Sequence, residues 1–274
     1  MRYLITILAL VVTVISCKKT SNYLVKYKFN FVPDSLNKSD VKSDEMILHT
    51  NKFGYAFLSN DLFTSDTTGV DITTLIKNNK VSSDGLLGTK TSPNNHLKLY
   101  FRKDSNLYYI NSSVNRLNYS FEDNAPEISW KLLDEEKVID NYKAKKATTN
   151  LFGRTWEAWY TEEIPVSYGP YKFQGLPGLI LDLRDSEGFF HFEPISIKVN
   201  EDDFEYPIYK DFSKTNSNKS EFVKYIKEYK ENPKVITSKT GENLKNDVEK
   251  NLKKKEELEK LNNSIERGLQ FNIK

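Results

Sequence analysis

The clearest pattern in the chain is an alternation with a period of two near its start. Polar residues separate five large apolar residues, which are Tyr23, Val25, Tyr27, Phe29 and Phe31. Successive side chains of a strand point to opposite sides of a sheet, so this pattern predicts a strand with one buried face. Pro33-Asp34 is predicted to end it.

Shorter segments of the same kind continue to about residue 200. Residues 46–58 are predicted to form a strand pair or one long strand, with a bulge at Gly54. Residues 59–94 are predicted to form a long connection that contains one helical turn. From residue 96 the chain predicts short strands separated by turn-forming residues. Predicted strands include 128–133, 137–142, 144–152, 155–161, 176–183 and 189–199.

This spacing predicts a mainly β fold, either a curved antiparallel meander or a partly open barrel, over residues 23–200. Such an incomplete barrel is similar, by fold analogy alone, to the lipoprotein-sorting carriers that hold an acyl chain against a sheet.

The pattern changes after residue 200. Ser220 is predicted to cap a helix in which Phe222, Tyr225, Ile226 and Tyr229 share one side. Residues 242–267 are rich in Lys, Glu and Asn and carry only a thin apolar stripe. The sequence therefore predicts a charged, mostly helical appendage over residues 201–274, which lies loosely on the domain or binds a partner.

The first residues predict export rather than structure. Arg2 is followed by an apolar run that is shorter than the roughly 20 residues of a spanning helix, and the run ends at Val14-Ile15-Ser16-Cys17. This ending resembles a bacterial lipobox, which predicts a lipoprotein signal peptide over residues 1–16, lipidation of Cys17 and a tether over residues 17–22. An ordinary signal peptide with a chance cysteine is the alternative. Several acyl chains on one cysteine would anchor the protein to a membrane. We therefore expect a bacterial cell-envelope location, facing the periplasm.

Composition narrows the possible chemistry. The chain has 40 Lys and Arg against 38 Asp and Glu, a balance that predicts no binding to nucleic acid. Cys17 is the only cysteine, so its lipidation would leave no thiol for catalysis, for a disulfide or for a metal centre. The sequence contains no glycine-rich phosphate loop, and we expect no cofactor.

Few residues predict catalysis. His49, His96 and His191 are predicted to be ordinary strand residues, because metal binding would need distant parts of the chain to converge. A hydrolase could use Glu162 or Glu163 as paired carboxylates. It could instead use a group formed by Asp182, Asp185, Ser186 and His191, although Ser186 lies in a predicted turn.

Residues 152–181 are the densest in aromatic residues and turns. Trp156 and Trp159 fall on opposite sides of one predicted strand, so one of them must meet a second layer, a ligand or solvent. Leu176-Pro177-Gly178-Leu179 predicts a type II turn. This rigid apolar loop either lines a cleft or is simply a tight corner of the sheet. The candidate binding residues are Arg154, Trp156, Trp159, Tyr171, Phe173, Leu176 and Pro177.

The segments Phe152–Pro165 and Gly169–Ile180 together resemble the GLPGLI family, which takes its name from the hexapeptide at residues 175–180. The resemblance extends upstream through Trp130 and residues 136–147. One departure is Asn141, where the family pattern has glycine, and this departure indicates a turn that tolerates a left-handed conformation. The resemblance implies an exported bacterial protein of unknown biochemical function, and it implies no catalytic residues.

Taken together, these observations favour a non-enzymatic envelope lipoprotein that binds an apolar or amphipathic ligand, or an envelope protein partner. Two alternatives remain open. One is a periplasmic hydrolase that uses the acidic and histidine residues near the loop, and the other is a structural subunit of an envelope complex that docks through its charged C-terminal helix.

Overall fold

The computed structural model describes residues 22–68, 97–114, 117–200 and 216–231, together with residues 253, 255, 256 and 264–266. The predicted signal peptide, Cys17, His96 and most of the predicted C-terminal appendage lie outside the described residues.

The described strands form one antiparallel sheet of 11 strands, in the order β6-β5-β4-β3-β2-β1-β11-β10-β9-β8-β7. The predicted mainly β antiparallel fold is confirmed, as an open sheet rather than a closed barrel. The strands are β1 (Asn22–Phe31), β2 (Lys42–Asn51), β3 (Gly54–Ser59), β4 (Lys98–Arg102), β5 (Leu107–Val114), β6 (Leu117–Asn124), β7 (Lys131–Ile139), β8 (Tyr142–Leu151), β9 (Arg154–Thr161), β10 (Leu179–Asp185) and β11 (Phe190–Asn200).

The strand order consists of two meanders that meet in the middle of the sheet. Strands β1 to β6 follow one another on one side, and β7 to β11 follow one another on the other. The first and last strands join the two halves, with Phe29 opposite Phe192 and Phe31 opposite Phe190. The centre of the sheet therefore depends on a pairing between residues that are far apart in sequence.

Left-handed residues make two of the tight turns. Asp140 and Asn141 have φ values of 45° and 67° between β7 and β8, and Phe152 and Gly153 have φ values of 56° and 72° between β8 and β9. Two positive φ values in succession are typical of the type I′ hairpin turn. The left-handed conformation predicted for Asn141 is confirmed.

One pair of predicted strands is a single strand in the structure. Residues 128–133 and 137–142 were each predicted to be a strand, with a turn at Asp134-Glu135. The structure instead has the one strand β7, whose pairing with β8 shifts register between Leu132 and Glu136. An irregularity of this kind accommodates extra residues without ending the strand, which is why the turn prediction was wrong.

The apolar residues of the alternating strands form the core on one side of the sheet, here called the inner face. The rings of Phe29 and Phe192 stack there with centroids 4.2 Å apart, and Trp156 is fully buried. The opposite side, the outer face, carries a smaller apolar cluster of Ile47, Ala56, Leu58 and Tyr100. Helix α1 (Asn60–Thr68) covers this cluster with Leu62 and Phe63.

Residues 46–58 are a strand pair rather than one long strand, and Gly54 begins β3 after the turn instead of forming a bulge within a strand. The connection predicted over residues 59–94 begins with α1, and residues 69–94 lie outside the described residues.

Helix α2 (Lys219–Glu231) packs against β6. The ring of Phe222 lies 5.4 Å from that of Tyr119 and 5.2 Å from that of Phe121. Asn218, rather than the predicted Ser220, caps the helix, because its Oδ1 accepts a hydrogen bond of 2.9 Å from the Glu221 amide.

Candidate functional site

The chain between β9 and β10 folds over the inner face. This stretch, residues 162–178, is here called the crossing segment. Its amide groups are paired: Gly175 donates to the carbonyl of Ser167 at 3.0 Å, and the amide of Ile180 donates to the carbonyl of Tyr168 at 3.0 Å. Tyr27 of β1 also donates to the carbonyl of Ile180 at 2.6 Å. The crossing segment is therefore a fixed part of the fold.

The predicted type II turn at residues 176–179 is wrong. Such a turn places its third residue at a φ of about +80°, whereas Gly178 has a φ of 158°. The Gly178 amide donates to the carbonyl of Leu176 at 2.8 Å, and the Leu179 amide donates to Ile164 at 3.1 Å. Pairing with Ile164 takes the amide that a type II turn would use, so the chain extends directly into β10.

The structure buries six of the seven candidate binding residues and exposes Pro177. The ring centroids of Trp156 and Phe173 are 4.7 Å apart on the inner face, and Leu176 is buried in the same cluster. Trp159 lies on the outer face, where the ammonium group of Lys137 is 4.2 Å from its ring. Trp159 therefore packs against lysine side chains rather than a second layer. The assignment of these seven residues to a binding site stays a prediction.

An open cleft lies beside the crossing segment, with a volume of about 630 Å³. Its lining combines the rings of Phe101 and Tyr168 with amide and charged side chains. The polar lining residues are Thr50, Asn51, Lys52, Lys103, Asn106, Glu127, Ser167 and Gln174. None of the seven predicted binding residues lines this cleft. Sequence reasoning missed it because four separate loops and strands contribute its walls.

Two hydrogen bonds stiffen the wall of the cleft. Trp130 Nε1 donates to the carbonyl of Gln174 at 2.9 Å, and the amide of Ala125 donates to the carbonyl of Asn106 at 3.1 Å. The ring of Tyr168 lies 4.9 Å from that of Tyr55, which is fully buried. A mixed aromatic and polar lining of this kind suits an amphipathic ligand.

A buried ionic network lies on the other side of the crossing segment. Lys172 is only 2% exposed, and its Nζ donates to Asp123 Oδ2 at 2.8 Å and to Glu266 Oε1 at 2.7 Å. Tyr171 donates its hydroxyl to the same Glu266 oxygen at 2.6 Å. Lys219 of α2 also reaches Asp123, at 2.8 Å. Burial would raise the pKa of Asp123, but the Lys172 and Lys219 ammonium groups outweigh it and hold that pKa below its ordinary value.

Arg154, the first residue of β9, forms a second buried ion pair. Its Nη1 lies 3.0 Å from Asp185 Oδ2, and its Nη2 donates to the carbonyl of Ser264 at 3.1 Å. Asp185 is itself held by the amides of Phe189 and Phe190, at 2.8 and 2.9 Å. Arg154 and Tyr171, two of the seven predicted residues, thus both bind residues 264–266.

The predicted acid and base residues do not gather in one place. His191 Nε2 lies 3.0 Å from Asp182 Oδ2 on the outer face, whereas Asp185 points to the inner face and pairs with Arg154. Glu162 pairs with Lys145 at 2.8 Å, and Glu163 accepts a hydrogen bond from the Lys143 amide at 2.8 Å. Ser186 lies in the turn between β10 and β11, as predicted.

Two residues of β2 have pKa values that sequence reasoning did not foresee. Burial raises the pKa of Asp44 to about 7, with Asp61 and Glu45 adding to the effect against a hydrogen bond from the Glu45 amide. Burial lowers the pKa of His49 to about 4. Nothing local in the sequence indicates either shift, because polar residues such as Glu45 and Thr50 occur on both faces of β2.

Within the described parts of the chain, no group of three His, Cys, Asp or Glu side chains is arranged to hold a metal ion. The helices that the structure describes include none with the length and apolar character required to cross a bilayer.

Comparisons with known proteins find one family model and similar solved structures. Residues 153–182 match the model of a family described as "Protein of unknown function (Porph_ging)", and this span contains the hexapeptide at residues 175–180. No curated protein matches the chain. Two similar solved structures are described as PNGF-II in the C2 and P21 space groups. Each is 20% identical, with TM-scores of 0.47 and 0.46, and the alignments cover 73% and 72% of this chain. The chain spans only 31% of the length of either structure.

Proposed function

We propose that this protein is a lipid-anchored, non-enzymatic binding protein of the bacterial cell envelope, related to the GLPGLI family. The single observation that supports binding is the cleft of about 630 Å³ beside the crossing segment. Its size is within the range of small-molecule sites, and hydrogen bonds from Trp130 and Ala125 hold its walls. Its ligand is an amphipathic molecule or a segment of an envelope partner, since rings and charged groups share the lining.

A cleft-filling substitution tests this role. Ser167 is exposed and lines the cleft, so Ser167→Trp should fill it without disturbing the core. Ser186→Trp is the matched control, because Ser186 is also exposed but lies in the turn between β10 and β11. Wild-type and variant proteins would be purified from the native membrane, and the molecules that accompany them would be identified by mass spectrometry.

We expect a ligand to accompany the wild type and Ser186→Trp, and to be lost from Ser167→Trp. The same set of molecules with all three proteins, or none with any of them, would argue against a ligand in the cleft. Circular dichroism would first establish that both Trp variants are folded.

The membrane anchor is tested separately. Cells fed an alkyne-labelled fatty acid should label the wild-type chain and leave Cys17→Ser unlabelled. Equal labelling of both chains would exclude Cys17 as the acylated residue. Digestion of whole cells and of spheroplasts with a protease would then distinguish a periplasm-facing anchor from a surface-exposed one.

A hydrolase is the second candidate, and the contact of 3.0 Å between His191 and Asp182 is the observation that favours it. Histidine oriented by a carboxylate is a common general base. His191→Gln would abolish turnover of an ester or glycoside panel if the pair were catalytic. No turnover by the wild type on that panel would count against this candidate.

A further inference from the structure

Residues Ser264, Ile265 and Glu266 lie against the inner face, where they contact residues 94 to 110 positions earlier in the sequence. They are here called the docked segment. Ile265 is 6% exposed and belongs to the main core cluster, and Glu266 is 5% exposed. The sheet therefore buries an apolar side chain and a carboxylate that stand next to each other in one short piece of chain.

Three different kinds of contact hold the docked segment. The residues that donate to it, Arg154, Tyr171 and Lys172, are here called the receptor. Arg154 donates to a main-chain carbonyl, that of Ser264, at 3.1 Å. The core cluster receives the side chain of Ile265. Lys172 and Tyr171 both donate to Oε1 of Glu266, at 2.7 and 2.6 Å. A ligand that offers a main-chain acceptor, an apolar side chain and a carboxylate is a peptide rather than a free fatty acid.

The groups that receive the carboxylate are positioned without it. Tyr55 donates to the carbonyl of Tyr171 at 2.8 Å, and Tyr108 donates to the carbonyl of Lys172 at 3.1 Å. Asp123 holds the Lys172 ammonium group from the sheet side at 2.8 Å. A receptor that is already ordered binds its ligand at lower entropic cost.

The Arg154 side of the receptor is positioned in the same way. Asp185 fixes the guanidinium group, and the ring of Phe190 lies 4.7 Å from the guanidinium carbon. Both ends of the receptor are therefore built by the sheet and the crossing segment.

The backbone of Tyr171, which binds Glu266, is also strained. Tyr171 has a φ of 57°, a conformation that costs a residue other than glycine about 1–3 kcal/mol and that is concentrated at functional sites. In this conformation the Tyr171 hydroxyl and the Lys172 ammonium group both donate to Oε1 of Glu266. Buried ion pairs add little net stability compared with apolar packing, so stability alone does not account for the arrangement.

We propose that the receptor is a peptide-binding site for an apolar residue followed by a glutamate. Ile265 and Glu266 of the same chain occupy it as an internal ligand. The external ligand is an acidic segment of an envelope partner with that pattern. This inference goes beyond the cleft and does not rest on it, because the residues that line the cleft are different from those that hold the docked segment.

A tethered segment competes with any external peptide at an effective concentration in the mM range. Weakening the docked segment should therefore make the receptor available. The test uses the full chain in detergent and a fluorescent peptide of residues 260–270, with binding measured by fluorescence anisotropy. Ile265→Ala/Glu266→Ala releases the docked segment, and Glu256→Ala is the matched control, since Glu256 is exposed.

We expect the double variant to bind the peptide at least tenfold more tightly than the wild type or Glu256→Ala. A peptide with glutamine in place of its glutamate should bind at least tenfold more weakly. Adding Lys172→Met to the double variant should reduce binding to the same extent, whereas adding Ser167→Trp should leave it unchanged.

Equal binding by the double variant and the wild type, or equal binding of the two peptides, would overturn the proposal, as would loss of peptide binding in the Ser167→Trp background. If the double variant does not unfold cooperatively, the single variant Glu266→Gln decides the question in its place. A gain in affinity of at least threefold over the wild type supports the receptor, and no gain refutes it.

Discussion

Gly178 offers a sharp test of how the crossing segment enters β10. A Cβ atom added at this position would lie 2.0 Å from the carbonyl oxygen of Thr161 and 2.6 Å from its carbon, whereas ordinary contact begins at 3.4 Å. Both atoms belong to the backbone of β9, so no side chain can rotate away. Gly178→Ala must therefore push the crossing segment off the end of β9.

The size of the effect follows from what that displacement breaks. The hydrogen bond from the Leu179 amide to the Ile164 carbonyl, 3.1 Å long, joins the first residue of β10 to the crossing segment, and its loss costs about 1 kcal/mol. Forcing an extra carbon into a packed site costs about 1–3 kcal/mol more. We expect Gly178→Ala to lower the free energy of unfolding by about 2–4 kcal/mol, which corresponds to a fall in Tm of about 4–16 °C for a domain of this size.

Gly188→Ala is the matched control for this measurement. Gly188 has a φ of 75°, and an added Cβ would meet nothing within 4 Å. Its substitution therefore reports only the left-handed conformation, at about 1–2 kcal/mol. Urea unfolding followed by tryptophan fluorescence would measure both variants. A loss for Gly178→Ala no larger than that for Gly188→Ala would refute the close approach of the two backbones.

Three further predictions concern buried charge and turns. Because burial lowers the pKa of His49 to about 4, the unfolded chain binds a proton that the folded chain does not as the pH falls below about 6.5. The unfolding free energy of the wild type relative to His49→Gln should therefore fall by about 2–3 kcal/mol between pH 7.5 and pH 4.5 in urea titrations, and a constant difference would contradict the shift. Asp185→Asn should lower the unfolding free energy by about 3 kcal/mol, because it leaves a buried guanidinium without its carboxylate; the exposed Glu136→Gln should change it by less than about 0.5 kcal/mol, and equal effects in the same titration would be inconsistent with burial. Asn141→Gly should raise the unfolding free energy by about 0.5–1 kcal/mol, since glycine adopts a φ of 67° without strain; a lower midpoint in thermal melts would argue against this conformation.

Local patterns were sufficient to predict the class of fold. The alternation in β1 identifies its buried face because the side-chain period of a strand is two, and the structure buries Val25, Tyr27, Phe29 and Phe31 as that period requires. Turn chemistry also predicted the left-handed Asn141. The pairing of β1 with β11 was not predictable in this way, because it joins residues about 160 positions apart, and no local signal specifies which distant edge a strand will meet.

The candidate site was predictable only in part, for a similar reason. Arg154 and Tyr171 stood out as charged and aromatic residues beside a rigid loop, and both contact the docked segment. Lys172 did not stand out, because lysine is almost always exposed and nothing local indicates that this one is 2% exposed. Glu266 lies in a charged stretch that predicts a solvated helix. Its burial depends on a receptor built from residues about 90 positions earlier.

The stretch from Gly169 to Leu181 contains two kinds of residue that the sequence alone does not separate. Its glycines serve the fold: a Cβ at Gly169 would lie 2.7 Å from Ile180, and Gly178 lies against the backbone of β9. Any chain that folds this segment over the sheet needs them. Tyr171 and Lys172 are different, because an unstrained residue and an apolar side chain would fill the same buried positions without the cost of desolvating a charge. These two residues instead direct both of their donor groups at one carboxylate oxygen. A test of function in this stretch should therefore change Tyr171 and Lys172, whereas changes at the glycines will report only on folding.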